Sequence, residues 1–410
     1  MASFIAVGRD TRVIGTVSLA HGCSHFYQLA LAPLFPLMHR QENYDYAELG
    51  AIVVAIYLAS AVCQPAVGFL VDRFGARPLL LWGVALQAGA TAALGLAQSY
   101  EALIVLAIAV GAGNSVYHPC NYSVLSATIT ERRLGRAYSI HMLGGYLGYA
   151  LAPLAITFLG TTVGWRWAII AAGLAGFVAL AIVAAGSGDF RDSTHERRRG
   201  ARAETTLRET LGVLFQRPIL LCWLFFALMA MAQIGLQTKS VSILSLPDTF
   251  AIDVEIAGRI LTVFLLATAL GVMCGGYVAE RTDRHDGVVA VGYGIAALAT
   301  LVLWQWTPPT AVVLAVYIVV GFIYGLAYPS RDIIVRNTTP KEASGKVFGF
   351  VYSGMDFGSL VTPALFGWLI DTGASQSAFL WVAGLWIISI LVLKASGAAA
   401  SEERARHREV

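Results

Sequence analysis

The sequence predicts an all-α membrane protein whose twelve transmembrane helices form two pseudo-symmetric six-helix bundles. Three observations carry this: apolar runs of membrane-crossing length, a one-sided distribution of positive charge, and a repeat that maps the second half of the chain onto the first. The composition agrees. The chain is 57% hydrophobic and 13% charged, with a mean hydropathy of +0.68, whereas soluble domains carry about 25% charged residues.

A helix needs about 20 apolar residues to cross the hydrocarbon core. Such runs fall at 13–37, 47–71, 78–97, 102–128, 137–160, 165–186, 219–244, 257–279, 287–306, 311–335, 347–370 and 376–397. With the N-terminus inside, all but five of the 28 Lys and Arg lie in cytoplasmic segments, the exceptions being Arg40, Arg166, Lys239, Arg259 and Arg331. Positive charge near span ends resists translocation, so both termini are expected in the cytoplasm, with the chain in the inner (plasma) membrane. No removable signal peptide is expected, because the first apolar run holds Pro33, Pro36 and two histidines and lacks a small-residue cleavage site.

The longest connection splits the spans six and six. The expected organisation is an N-terminal bundle over 1–186, a cytoplasmic linker over 187–218, a C-terminal bundle over 219–397 and a cytoplasmic tail over 398–410. The linker carries His195, Glu196 and Arg197 to Arg199, and 204–214 reads as an amphipathic stretch.

Several classes are disfavoured. Cys23, Cys63, Cys120, Cys222 and Cys274 all sit in apolar runs without a CxxC pair or metal-ligand spacing, and read as small buried hydrophobes. The basic residues lie in loops, where membrane orientation explains them, so no nucleic-acid partner is expected. HExxH, GxSxG and Walker patterns are missing, which argues against an enzyme.

The repeat is specific. An offset of 210 pairs Pro119 with Pro329, Gly135 with Gly345, Arg136 with Lys346, Gly144 with Gly354, Gly148 with Gly358 and Pro153 with Pro363. At an offset of 208, Gly68 to Arg73 overlays Gly276 to Arg281, placing Asp72 opposite Glu280. Such repeats accompany transporters that rock one half against the other, and a signalling receptor does not need one. One chain then contains a complete pathway, so a monomer suffices.

The run Gly68-Phe-Leu-Val-Asp72-Arg73-Phe-Gly75-Ala-Arg77 resembles the G-x-x-x-D-R-x-G-x-R loop motif of the major facilitator superfamily, in its usual place between spans two and three. The span count, the mid-chain linker and the echo at Gly276, Glu280 and Arg281 extend the resemblance over nearly the whole chain. Gly68 is expected to permit close helix approach and Asp72 to meet a helix end or arginines, as a latch on one state of the transport cycle. A plain charged loop explains Arg73 and Arg77 but not the repeated glycine spacing. Gly113 to Pro119, with Gly144, Gly145 and Gly148, resembles the fosmidomycin-resistance branch, which implies proton-driven export of a small, often anionic compound. Ala152, where drug/proton antiporters often have a glycine before the proline, departs from their pattern.

The resemblance implies that spans one, four, seven and ten line a central solute path. Each carries a polar stripe at helical spacing: His21, His25 and Gln28; Asn114, His118 and Asn121; Gln233 and Gln237; Tyr324, Tyr328 and Arg331. The 210 offset pairs Asn114 with Tyr324, His118 with Tyr328 and Asn121 with Arg331. Two readings are open for each residue: solute contact, or interhelical hydrogen bonding. Gly144, Gly145, Gly148, Gly354 and Gly358 are expected to let helices pack backbone to backbone, and the prolines to bend them.

Charged side chains at membrane depth are functional candidates. Asp356, Asp332 and His25 are the candidate proton carriers, with Asp356 alternatively in a permanent ion pair with Arg331 or Lys239. Arg331 is placed to bind a carboxylate or phosphonate through its planar fork. Its rival role is pairing with Asp332, although sequence neighbours project about 100° apart on a helix. Lys239, near an outer span end, reads as snorkelling to the interface. His21 and His25 could shuttle protons or form a two-histidine metal site, but no carboxylate is close in sequence and no metal or other cofactor is expected. His141 reads as a helix-end residue.

The expected function is secondary active transport of a small, possibly anionic solute, driven by a proton gradient through alternating access, with export favoured. A proton/organic-anion symporter that imports its solute is the alternative, and a membrane receptor or enzyme the different class.

Overall fold

The computed structural model describes residues 8–190, 214–338 and 344–406. The charged run at 195–199, most of the 204–214 stretch and Lys341 lie outside the described residues, as do the side chains of Asp72, Arg136 and Lys346. The chain folds as two compact units: Met1–Asn43 with Ala51–Arg202, and Tyr44–Gly50 with Ala203–Val410.

The first unit is built from α1 (Arg9–Ala30), a 3₁₀ turn (Ala32–Leu34), α2 (Phe35–Glu42), α3 (Tyr46–Phe74), α4 (Ala76–Leu94), α5 (Tyr100–Asn114), α6 (Tyr117–Thr128), α7 (Glu131–Val163) and α8 (Trp165–Gly186). The second holds α9 (Arg217–Ser245), α10 (Val254–Ala279), α11 (His285–Gln305), α12 (Thr310–Thr338), α13 (Ser344–Asp371) and α14 (Ser377–Arg406), together with the first turn of α3. Helices satisfy their backbone polar groups internally, which is what hydrocarbon demands. Among the described residues, nine helical segments are long and apolar enough to cross a membrane. The spans not among them, α1, α4 and α13, carry polar side chains such as His21 and His25, Arg77 and Asp356.

Prolines lie at two of the breaks. Pro33 and Pro36 donate no backbone N–H, and the first span passes through the 3₁₀ turn before α2 begins with a proline in its first turn. The fourth span is two helices. Pro119 cannot donate to the Ser115 carbonyl, and the chain departs from the helix at Ser115 and Val116. Pro329, its partner in the repeat, sits inside a continuous α12, as Pro153 and Pro363 sit inside α7 and α13.

Between α3 and α4 the backbone turns at Gly75, whose φ of 87° favours glycine, and the Gly75 N–H closes α3 on the Val71 carbonyl at 2.9 Å. Other helices start on side-chain caps. Ser99 accepts from the Ala102 N–H at 3.2 Å, and Asp253 accepts from Glu255 N at 2.8 Å. The first turn of α3, which belongs to the second unit, is capped within that unit: Asp371 at the end of α13 accepts from Tyr46 N at 2.8 Å and Ala47 N at 2.7 Å.

The sequence repeat reappears as packing. In the first unit α1 lies on α7, where Gly144 abuts the Ser18 carbonyl and Gly148 the Gly22 carbonyl. In the second, α9 lies on α13 in the same way, with Gly354 on the Trp223 carbonyl and Gly358 on the Ala227 carbonyl. Gly111 on the Ile56 carbonyl is likewise matched by Gly321 on the Phe264 carbonyl, at the offsets of 210 and 208 seen in the sequence. Gly68 and Gly276 behave differently: a Cβ at either would meet nothing within 4 Å. The expected role of Gly68 in close helix approach is therefore corrected, since among the described residues no neighbouring backbone comes near enough to need a glycine.

Gly148→Ala forces a methyl into the Gly22 backbone, and overpacking of this kind costs about 1–3 kcal/mol. We expect Gly148→Ala and Gly358→Ala both to lower the thermal unfolding midpoint in detergent, and Gly276→Ala to leave it unchanged. Equal midpoints for all three would contradict the close packing.

Candidate functional site

Each unit holds its own polar cluster. In the first, α1 and α7 run in step, so that His21, His25 and Gln28 meet His141, Gly145 and Tyr149 one turn at a time. Residues at i, i+4 and i+7 or i+8 share a helix face, which is why the two stripes coincide. Gln28 accepts from the Tyr149 hydroxyl at 2.5 Å. His25 lies 4.2 Å from the Tyr149 ring and 4.3 Å from His21. Gly145 makes the room: a Cβ there would sit 2.7 Å from His21 Cε1 and 3.1 Å from His25 Cε1.

The His21 ring donates from Nδ1 to the His141 carbonyl at 2.8 Å, because a carbonyl can only accept. Its ring stacks on that of His141 at 3.8 Å, and His118 from α6 closes in at 5.3 Å. His21 and His141 are both wholly buried. This corrects the helix-end reading of His141. The helix begins at Glu131 rather than where the apolar run starts, which sets His141 three turns inside α7.

The span-four stripe does not stay together. Asn114 ends α5 and is committed to other helices, accepting from Ser24 at 2.7 Å and Gln87 at 3.3 Å and donating to Ser60 at 3.0 Å. These bonds join the end of α5 to α1, α3 and α4. His118 and Asn121 lie beyond the break, where His118 joins the histidines and Asn121 is wholly buried with neither amide atom hydrogen-bonded.

In the second unit, Gln233 on α9 accepts from the Tyr324 hydroxyl on α12, and Gln237, one turn on, is buried. Tyr324 lies 5.7 Å from Tyr328. Arg331 is wholly buried, with its guanidinium 3.6 Å from the centre of the Tyr328 ring, 4.5 Å from Phe226 and 5.9 Å from Tyr352. Nη1 reaches the Met229 sulfur at 3.3 Å. Nε donates to Asp332 Oδ1 at 2.9 Å, and Nη2 stands 2.8 Å from the same oxygen without aiming a hydrogen at it. Contrary to expectation from helix projection, the two do pair, because the long Arg side chain folds back along the helix to its neighbour. Asp332 is 38% exposed, so the pair has one buried and one accessible member.

Lys239 is also corrected. It does not snorkel: it is wholly buried and donates to the Tyr46 carbonyl at 2.9 Å, beside the turn that Asp371 caps. Asp356 is exposed on its unit, and among the described residues no ion pair joins it to Arg331 or Lys239. The loop-motif residues make local contacts. Arg73 lies 5.2 Å from the Phe74 ring, Arg77 donates to Ser187 at 2.9 Å, Glu280 caps α10, and Arg281 lies 3.2 Å from the Tyr277 ring.

Sequence reasoning read His141 as a helix end and Gly145 as a packing glycine only, and did not name Tyr149, Phe226 or Tyr352. For the first three the signal was present, as an i, i+4, i+8 stripe on span five, but nothing in the sequence said which helix it faces.

Comparison with known proteins places this geometry. The sequence model of the Major Facilitator Superfamily matches residues 17–246 and 230–409. The chain is 26% identical over 360 residues to the fosmidomycin resistance protein of Escherichia coli (strain K12), covering 85% of each. It is 23% identical to a probable sulfoacetate transporter of Cupriavidus necator, covering 90% of this chain and 89% of the relative. A mutant of the nucleoside transporter NupG shares the fold with a TM-score of 0.79 at 13% identity, over 95% of this chain and 100% of that one. With a family match over nearly its whole length and two six-span units packed on the same glycine contacts, the chain belongs to the Major Facilitator Superfamily.

Proposed function

We propose that the chain carries a small organic anion by proton-coupled alternating access, and that proton and anion bind together on the second unit, as in a symporter. The observation that carries this is the Arg331–Asp332 pair. A guanidinium buried among three aromatic rings holds its charge in a dry setting and needs an anionic partner. Asp332 fills that need and keeps a partly exposed side chain. When its carboxylate takes a proton, the Arg331 fork is released to a solute carboxylate, sulfonate or phosphonate. Proton binding thus favours anion binding, and the sign of the coupling is co-transport. A relative named as a probable sulfoacetate transporter supports an anionic solute.

Proton-driven export is the second reading, favoured by the relative named for fosmidomycin resistance. There the proton must compete with the solute, and Asp356 and His25 are the groups to provide it.

The two readings move protons in opposite directions. Addition of an anion to the outside of proteoliposomes is expected to acidify the lumen, and a panel of carboxylates, sulfonates and phosphonates read by an internal pH dye checks it. Alkalinisation would favour exchange and overturn the symport reading.

The pair can also be separated by substitution. Charge-assisted hydrogen bonds contribute about 1.5–3 kcal/mol, so Arg331→Ala should weaken anion binding by roughly ten- to a hundredfold. Asp332→Asn should keep anion movement and lose the accompanying proton flux, whereas Asp356→Asn should keep both. Loss of proton flux in Asp356→Asn alone would move the coupling to α13.

A further inference from the structure

Four of the chain's eight histidines, His21, His25, His118 and His141, gather in the first unit. They come from α1, α6 and α7, and the anion reading of the second unit makes no use of them. Ring nitrogens of His21, His118 and His141 lie within 4.8 Å of one another. We propose that these three side chains form a binding site for a divalent transition-metal ion of the zinc class.

Unused nitrogens are the first argument. His21 Nε2, His25 Nδ1 and both ring nitrogens of His141 are buried without a hydrogen-bond partner. Leaving a buried polar atom unsatisfied costs about 1–3 kcal/mol, so four such atoms in one place call for a ligand.

The second argument is the proton position on His21. Its Nδ1 must carry the hydrogen, since it faces a carbonyl oxygen at 2.8 Å, and the neutral ring therefore presents its lone pair at Nε2, the unpartnered atom. A ligating histidine whose other nitrogen is fixed on a carbonyl is the usual arrangement around zinc, because that bond sets the ring's tautomer and orientation. The third is the donor set, since imidazole nitrogens suit zinc, copper and nickel rather than magnesium or calcium, which take oxygen.

Geometry states what binding requires. Zn–N bonds of about 2.0–2.1 Å bring tetrahedral ligand atoms to about 3.4 Å apart. Nitrogens within 4.8 Å of one another must therefore close by up to about 1.4 Å, and His141 must turn out of its stack on His21. Gly145 already lets the His21 and His25 rings lie against α7, and His118 is only partly buried. Three protein nitrogens leave a fourth position for water or for His25. An ion held there ties α6, which begins just after the break at Ser115 and Val116, to α1 and α7.

The test uses full-length, tag-free protein in detergent, stripped with a chelator and titrated with zinc chloride against a chromophoric competitor. One zinc per chain is expected, with a raised unfolding temperature, and cobalt chloride should give the visible absorption of nitrogen-coordinated cobalt. His118→Gln and His141→Gln should each weaken binding at least tenfold, while His39→Gln and His285→Gln, outside the cluster, should not change it. His118→Gln guards against misfolding, because no hydrogen bond of the described structure depends on that ring. Absence of stoichiometric zinc binding, or binding undiminished in both His118→Gln and His141→Gln, would overturn the site. Neither result bears on Arg331, whose anion binding is measured separately.

Discussion

Backbone-on-backbone contact between the first and fifth spans of each unit sets the register of everything polar inside it. Where Gly144 and Gly148 meet the carbonyls of Ser18 and Gly22, no side chain keeps α1 and α7 apart, and the helices can slide neither along nor around one another without collision. Hydrocarbon gives little drive for helices to associate, so such contacts, with a few hydrogen bonds, carry the packing. The His21–His141 and Gln28–Tyr149 contacts follow from that register. In the second unit Gly354 and Gly358 seat α13 on α9, which brings Tyr352 and Phe226 to the same guanidinium.

Much of the fold was legible in the sequence because its signals are local or repeat at fixed spacing. Apolar length gives the spans, and glycines and prolines at a common offset give the two-fold organisation; both depend on chain geometry alone. The break after Asn114 was half legible. Pro119 marks the place, yet Pro329 marks an equivalent place where the helix continues. A proline weakens a helix by a fixed amount, and the surrounding packing decides whether it opens.

The polar clusters were less legible, since they depend on which helix faces which. His21, His25 and His118 were visible as candidates, while His141 was misjudged from the start of an apolar run, which reports hydrophobicity and not where the helix begins. Lys239 and Arg331 show a second limit. Depth along a span suggested an interfacial lysine, but a backbone carbonyl brought in by a distant turn satisfies it. Side-chain length lets an arginine reach a neighbour that its Cβ direction points away from.

The broken fourth span makes the two units alike in packing but different in mechanics. In the second unit α12 runs on as one helix past Pro329. The pair α5 and α6 shares a joint at Ser115 and Val116, where the regular ladder of backbone bonds is interrupted and bending costs least. Asn114, on the near side of that joint, is anchored to three other helices, whereas His118, on the far side, is not. Duplication has thus kept one frame and built it two ways, with an unbroken helix in the second unit and a jointed one in the first, where His118 stands just beyond the joint.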